Sequence, residues 1–229
     1  MMDTLKMCAR GLFMRDQVLE AILREKIIVI VRGVGLEDME KLVEAISAGG
    51  ISLVELTFDQ TSEKARMETL AGIRMISEKF KGRVIPGAGT VLTKEQVALA
   101  REAGAKYIIS PNADEEIIRL TRENGLVSIP GCMTPTEIVS SVNAGADFVK
   151  LFPAGVLGLE YVKLIAAPLK HVKLLAAGNV TEENAADYLK AGCAGVCVGG
   201  RIANREWISK GRYDLIEEIS RKNKLAVQI

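Results

Sequence analysis

The sequence predicts an α/β protein, a single (β/α)8 TIM barrel with an extra N-terminal helix. Three observations carry that expectation. First, Ala-Gly followed by a short apolar, β-rich run recurs in AGGISLVEL (48–56), AGAKYIISP (103–111), AGADFVKLF (144–152) and AGCAGVCVGG (191–200), with ENGLVSIPG (123–131) as an Asn-Gly variant. Glycine just past a helix end adopts the left-handed conformation that other residues resist, so each copy reads as helix, stop, strand. Second, Gly104, Gly125 and Gly145 follow one another at steps of 21 and 20 residues, room for one strand and one helix. Third, KIIVIVRG (26–33), RVIPGAG (83–89) and HVKLLAAG (171–178) supply three more strands, eight in all. Eight strands alternating with helices suit a closed parallel barrel. An open doubly wound sheet is the rival, but no glycine-rich dinucleotide fingerprint follows the first strand.

Taken in order, a helix over about 13–24 precedes the first strand. Amphipathic stretches such as LEDMEKLVEAISAGG, TKEQVALAREAG, DEEIIRLTRENG, TPTEIVSSVNAG and TEENAADYLKAG separate the strands. Thr93, Asp114, Thr134 and Thr181 stand at helix starts, where a short side-chain oxygen satisfies an unpaired backbone N–H. In MTPTE, Pro135 and Glu137 fall in a first helical turn. The barrel spans about 26–209, a closing helix about 213–226, and the whole of 1–229 reads as one domain.

Composition excludes several function classes. Hydrophobic residues make up 48% of the 229, enough for a sizeable core, while aromatics at 4% are too few for a base-stacking surface. Thirty Lys and Arg balance 29 Asp and Glu, so no global field attracts nucleic acid or an anionic membrane. Cys8, Cys132, Cys193 and Cys197 are scattered, unlike a secreted disulfide framework. His171 is the only histidine, which argues against a zinc site or a histidine-based triad. No apolar run is long enough to span a bilayer and no charged-then-apolar leader opens the chain. The expectation is a soluble cytoplasmic protein without metal or cofactor.

ADFVKLFPAG (146–155) places Lys150 inside an apolar strand. Desolvating an ammonium costs several kcal/mol, so a lysine there calls for a partner or a purpose. Side chains alternate along a strand. Phe148, Lys150 and Phe152 therefore share one face, as do Leu53, Glu55 and Thr57, and Ile28, Ile30 and Arg32. One polar residue per strand thus interrupts an apolar face near the C-terminal strand end, where barrels carry their active sites. Lys150, Glu55 and Arg32 are expected to converge there. A purely structural ion pair of Glu55 with Lys150 or Arg32 is the alternative, although such pairs stabilise weakly. Functionally, a neutral amine attacks a ketone to form a Schiff base. The iminium draws electrons from a neighbouring C–C bond, Glu55 carries protons through water, and Arg32 grips a carboxylate.

These motifs resemble the 2-keto-3-deoxy-6-phosphogluconate aldolase and 4-hydroxy-2-oxoglutarate aldolase family. The matching pieces are VIVRG (29–33), VELTF (54–58), PGAGTVLT (86–93), ISPN (109–112), IPGCMTPTE (129–137) and VKLFPAG (149–155), in family order. The resemblance implies Lys150 as the Schiff-base lysine and Glu55 as general acid/base. It implies that Arg32 and the loop from Gly87 through Gly89 to Thr90 hold the carboxylate of the pyruvate end, and that Pro111 and Phe152 shape the wall. Read from the residues alone, PGAGT is a tight turn needing positive φ. The resemblance further implies no metal, a small-molecule substrate and a homotrimer.

Two stretches depart from the family pattern. Where the family usually shows Thr-Gly-Gly after the seventh strand, this chain has Ala177, Gly178 and Asn179. Where it often shows Gly-Ser after the eighth, this chain has Gly199, Gly200 and Arg201. The phosphate end keeps glycines, loses hydroxyls and gains an amide and a guanidinium; Arg201 either binds the substrate's distal anion or faces solvent. The leading function is a class I aldolase that cleaves a 2-keto-3-deoxy sugar acid, 6-phosphorylated, to pyruvate and an aldehyde such as glyceraldehyde 3-phosphate. A sugar-phosphate epimerase-like barrel and a non-catalytic sugar-acid-binding barrel are the alternatives.

Overall fold

The computed structural model describes residues 15–229. Residues 13–14 of the expected first helix, and Cys8, lie outside that range. Among the described residues the strands are β1 (Ile27–Val31), β2 (Leu53–Thr57), β3 (Ile85–Gly89), β4 (Tyr107–Ile109), β5 (Val127–Ile129), β6 (Gly131–Cys132), β7 (Val149–Leu151), β8 (Leu174–Ala177) and β9 (Gly195–Val198). All pair in parallel, in the order β5-β4-β3-β2-β1-β9-β8-β7-β6.

Nine strands stand where eight were expected, because Pro130 splits the fifth into β5 and β6. Proline has no N–H for the ladder. The first half pairs with β4 and the second with β7, so the chain itself bridges the two ladder ends. Phe148 N donates to Ser128 O at 3.3 Å and Lys150 N to Pro130 O at 2.9 Å, which closes the barrel across this seam.

The helices are α1 (15–25), α2 (Leu36–Ala48), α3 (Glu63–Lys79), α4 (Lys94–Ala103), α5 (Glu115–Glu123), α6 (Pro135–Ala144), α7 (Ala154–Ala166), α8 (Ala185–Lys190), α9 (Arg205–Ser209) and α10 (Tyr213–Ala226). Their starts follow the expected chemistry at three places. Thr93 caps α4, Asp114 caps α5, and Thr134 with Glu137 forms a complete capping box on α6. Thr181 differs: its hydroxyl accepts from Glu183 N in a turn, and α8 begins only at Ala185, because Asn184 Oδ1 takes the Thr181 N–H and prolongs that turn. Gly104 and Gly145 end α4 and α6 with φ of 104° and 103°, the left-handed stop on which the repeat was read.

Two apolar layers follow from strand alternation. The outward set packs against the helices. The inward set, including Ile28, Leu53, Tyr107, Val127, Phe148 and Leu175, fills the barrel. Val18 and Ile22 of α1 belong to that same inner cluster, with Leu19 packed against it. The helix therefore plugs the N-terminal end of the barrel. Arg15 fastens it there by an ion pair with Asp147, whose other oxygen accepts from Ser128 N at 3.0 Å.

Ile22 is 1% exposed. Ile22→Ala should cost about 2–5 kcal/mol of folding stability, from lost burial plus the cavity left behind. Chemical denaturation of the variant against wild type measures it.

Candidate active site

The C-terminal strand ends surround a cavity of about 830 Å³. Lys150, 7% exposed, reaches it from β7 in the barrel wall. Its Nζ lies 4.9 Å from the centre of the Phe152 ring, so the ring's negative face partly compensates the lost hydration. Pro111 and Phe152 form part of the wall, as the resemblance implied.

Three residues expected at the site do not reach the cavity surface: Glu55, Gly87 and Gly89. Glu55 lies beneath it, 1% exposed, and its Oε2 has no hydrogen-bond partner. Burial pushes its carboxyl above the usual carboxylate range, while Lys150 and then Arg32 pull it partway back. A carboxyl whose ionised form is disfavoured in this way takes up a proton more readily than an exposed one. Gly87 and Gly89 act through the room they leave. A Cβ at 89 would stand 1.7 Å from Glu55 Oε1, and a Cβ at 87 would stand 2.0 Å from the Tyr107 ring. Both glycines lie in strand β3, so PGAGT is no tight turn at that point. The positive φ falls instead on Thr90, at 55°.

A threonine rarely holds that backbone conformation. Here a chain of amides fixes it. Gln60 Nε2 donates to Thr90 O at 2.7 Å, Gln96 Nε2 donates to Gln60 Oε1 at 2.8 Å, and Leu92 N donates to Gln96 Oε1 at 2.7 Å. The Thr90 hydroxyl accepts from Arg32 Nη2 at 3.3 Å. Arg32 thus leans across β2 to the end of β3, and guanidinium and hydroxyl stand side by side in the cavity.

The far end is built by the loops after β8 and β9. Gly178, Asn179, Gly199, Gly200 and Arg201 all line it. Asn179 holds a φ of 55°, and its carbonyl accepts from Asn184 Nδ2 at 3.1 Å. Gly155 packs so tightly on this loop that a Cβ there would meet Asn179 Cβ at 2.5 Å. Arg201 sits at the cavity but is already paired, with Glu182 at 2.9 Å and Glu183 at 3.5 Å. The sequence reading missed Arg205. It lines the cavity, has no ion-pair partner among the described residues, and lies over Gly33, where a Cβ would meet its Nη2 at 2.4 Å. The signal available was a second arginine four residues after Arg201, opening α9.

Cys197 of β9 also lines the cavity. Burial first, then the Glu55 charge, push its thiol up to about 12, so it is not a nucleophile here. No three His, Cys, Asp or Glu side chains gather in a metal-binding arrangement among the described residues.

Comparison with known proteins agrees with this geometry. The profile of the family described as KDPG and KHG aldolase matches residues 18–219. The 2-dehydro-3-deoxy-6-phosphogalactonate aldolase of Escherichia coli (strain K12) is 33% identical over 77% of this chain and 83% of its own. The 2-dehydro-3-deoxy-phosphogluconate aldolase of Treponema pallidum (strain Nichols) is 31% identical over 90% and 95%. Among solved structures, the KDPG aldolase from Legionella pneumophila, with pyruvate captured at low pH as a covalent carbinolamine intermediate, superposes with a TM-score of 0.77. It is 27% identical over 88% of this chain and 95% of that one. A lysine at the mouth of a parallel barrel with a carboxylate buried beneath it, on a chain matched almost end to end, leads to one conclusion: the chain is an aldolase and belongs to the KDPG and KHG aldolase family.

Proposed function

We propose that this aldolase cleaves a 2-keto-3-deoxy-6-phospho sugar acid to pyruvate and an aldehyde phosphate, with Lys150 as the Schiff-base residue. The observation that carries the reading is the pairing of a buried lysine with a buried, unpartnered carboxylate at one end of the cavity. Both similar relatives named above are aldolases of phosphorylated 2-keto-3-deoxy acids.

In this reading Arg32 and the Thr90 hydroxyl hold the substrate carboxylate. That presents the C2 ketone to Lys150. Neutral Nζ attacks C2, and loss of water leaves an iminium. Glu55, through a water, takes the proton from the C4 hydroxyl. The C3–C4 bond breaks, its electron pair moves to the iminium nitrogen, and the aldehyde departs. Protonation of the enamine at C3 and hydrolysis then release pyruvate and restore Lys150. Water is consumed in the last step and released in the first, so the net reaction is a cleavage alone. The iminium serves as the electron sink, and no metal is required. Phe152 and Pro111 keep bulk water from the imine.

At the far end, Gly178, Asn179, Gly199 and Gly200 offer backbone N–H groups to the phosphate. The charge for it comes from Arg205. The glutamates already neutralise Arg201, whereas Arg205 has no such partner among the described residues, lies over Gly33 and lines the same cavity as these glycines. We further propose a homotrimer working in the cytoplasm, without nucleic-acid or membrane partners. The family resemblance supports the trimer, and among the described residues no helix is long and apolar enough to cross a membrane. Sedimentation equilibrium checks the trimer.

Incubation with pyruvate and borohydride should abolish activity and add one pyruvate-derived group, located on Lys150 by mass spectrometry. Lys150→Met should lose both labelling and turnover. Label on another lysine, or none on an active enzyme, overturns the mechanism. Binding of the acid without turnover would favour the non-catalytic barrel instead.

Arg205→Ala should raise KM for a phosphorylated substrate about tenfold or more, as expected for loss of a charge-assisted contact. It should change KM for the unphosphorylated analogue far less, and Arg201→Ala should do less than Arg205→Ala. Steady-state kinetics on the substrate pair decides; the reverse ranking would return the phosphate to Arg201.

A further inference from the structure

Tyr107 has no part in the mechanism above, yet its environment is unusual. It is 0% exposed, and its hydroxyl has no hydrogen-bond partner. Phenylalanine would fill the same space without burying an unsatisfied polar atom, which is costly. Among the described residues, the other buried side-chain oxygen without a partner in the barrel interior belongs to Glu55.

The two lie in one inward row. Ile30 pairs in register with Glu55, Glu55 with Gly87, and Gly87 with Tyr107, on β1 to β4. Side chains of register partners in a parallel sheet share a face, so Glu55 and Tyr107 stand on either side of a residue that has no side chain. Each leans into the space above β3. The Tyr107 ring occupies the place of a Cβ at 87, and the Glu55 carboxyl occupies that of a Cβ at 89. Between them a phenol donor and a carboxylate acceptor are both left open. Burial, followed by the charge of Glu55, pushes the phenol well above its usual range, so it keeps its proton wherever Glu55 changes charge.

We propose that Tyr107 is a positioning residue for Glu55. Its phenol donates, through one buried water, to Glu55 Oε2, which fixes the orientation of the carboxylate and favours its ionised form. The inference rests on the reading of Glu55 as the proton carrier. Buried water held by otherwise unsatisfied groups is a common structural element. The groups facing Glu55 are Lys150 from β7, Arg32 from the end of β1, Cys197 from β9 and Tyr107 from β4. Lys150 and Arg32 also favour the ionised form, and the Cys197 thiol stays neutral. Tyr107 supplies what the two cations do not, a directional hydrogen bond relayed by that water. The glycine at 87 gains a meaning from this, since any side chain there would displace the ring.

The test is Tyr107→Phe, which keeps the shape and removes only the donor. The readout is the pH profile of enzyme-catalysed deuterium exchange into the methyl group of pyruvate, which needs Lys150 and Glu55 but no aldehyde. Glu55 must be ionised to take the methyl proton, so exchange falls as pH drops through its pKa. Without the donor that acidic limb should move up by about one pH unit. The loss should be largest on the acid side and shrink as pH rises. A folded variant whose limb has not moved overturns the proposal; trapping of pyruvate by borohydride on Lys150 certifies the fold of the site. Glu55→Gln, run alongside, should abolish exchange. If it does not, the reading of Glu55 falls and this inference with it. If it does, and the limb of Tyr107→Phe is unchanged, only the role of Tyr107 falls.

Discussion

Glu55 carries an ionisable carboxyl into a part of the barrel closed to bulk solvent, and one of its oxygens finds no protein partner there. A charge so placed is expensive unless opposite charge stands close. Much of the surrounding structure follows from that constraint. Gly89 must lack a side chain to admit the carboxyl. Lys150 and Arg32 must stand near enough to offset part of its desolvation. Lys150 in turn is held by the seam at Pro130, whose carbonyl accepts its backbone N–H, and by the Phe152 ring over its ammonium. The site is a set of costs that this one arrangement partly offsets, which is how preorganisation looks at the level of single residues.

The same dependence explains what was legible in the sequence. Lys150 and Glu55 stood out because each interrupts an apolar face with period two, and an interruption of that kind is costly whatever the fold. The helix stops were legible because a left-handed residue after a helix is nearly always glycine, as at Gly104 and Gly145. Both signals are local: they need only the residue and its near neighbours.

What stayed hidden depends on partners distant in the chain. PGAGT looks like a turn, yet its glycines are strand residues whose role is set by Tyr107 and Glu55 on the adjoining strands. Pro130 was visible, but that a strand would continue beyond it in a new pairing depends on β4 and β7. Arg201 and Arg205 are alike in sequence. Only the fold brings Glu182 and Glu183 to the first and the loop at Gly33 to the second.

The packed barrel interior, with Val18, Leu19 and Ile22 set against it from below, makes the cavity a blind well. Everything that enters by the mouth must leave by it. In the mechanism we propose, cleavage leaves one fragment bonded to Lys150 and the other unattached toward the rim. The unattached fragment departs first, and the water that frees the bonded one arrives by the path just vacated. The covalent bond and the single doorway together impose a sequence on product release.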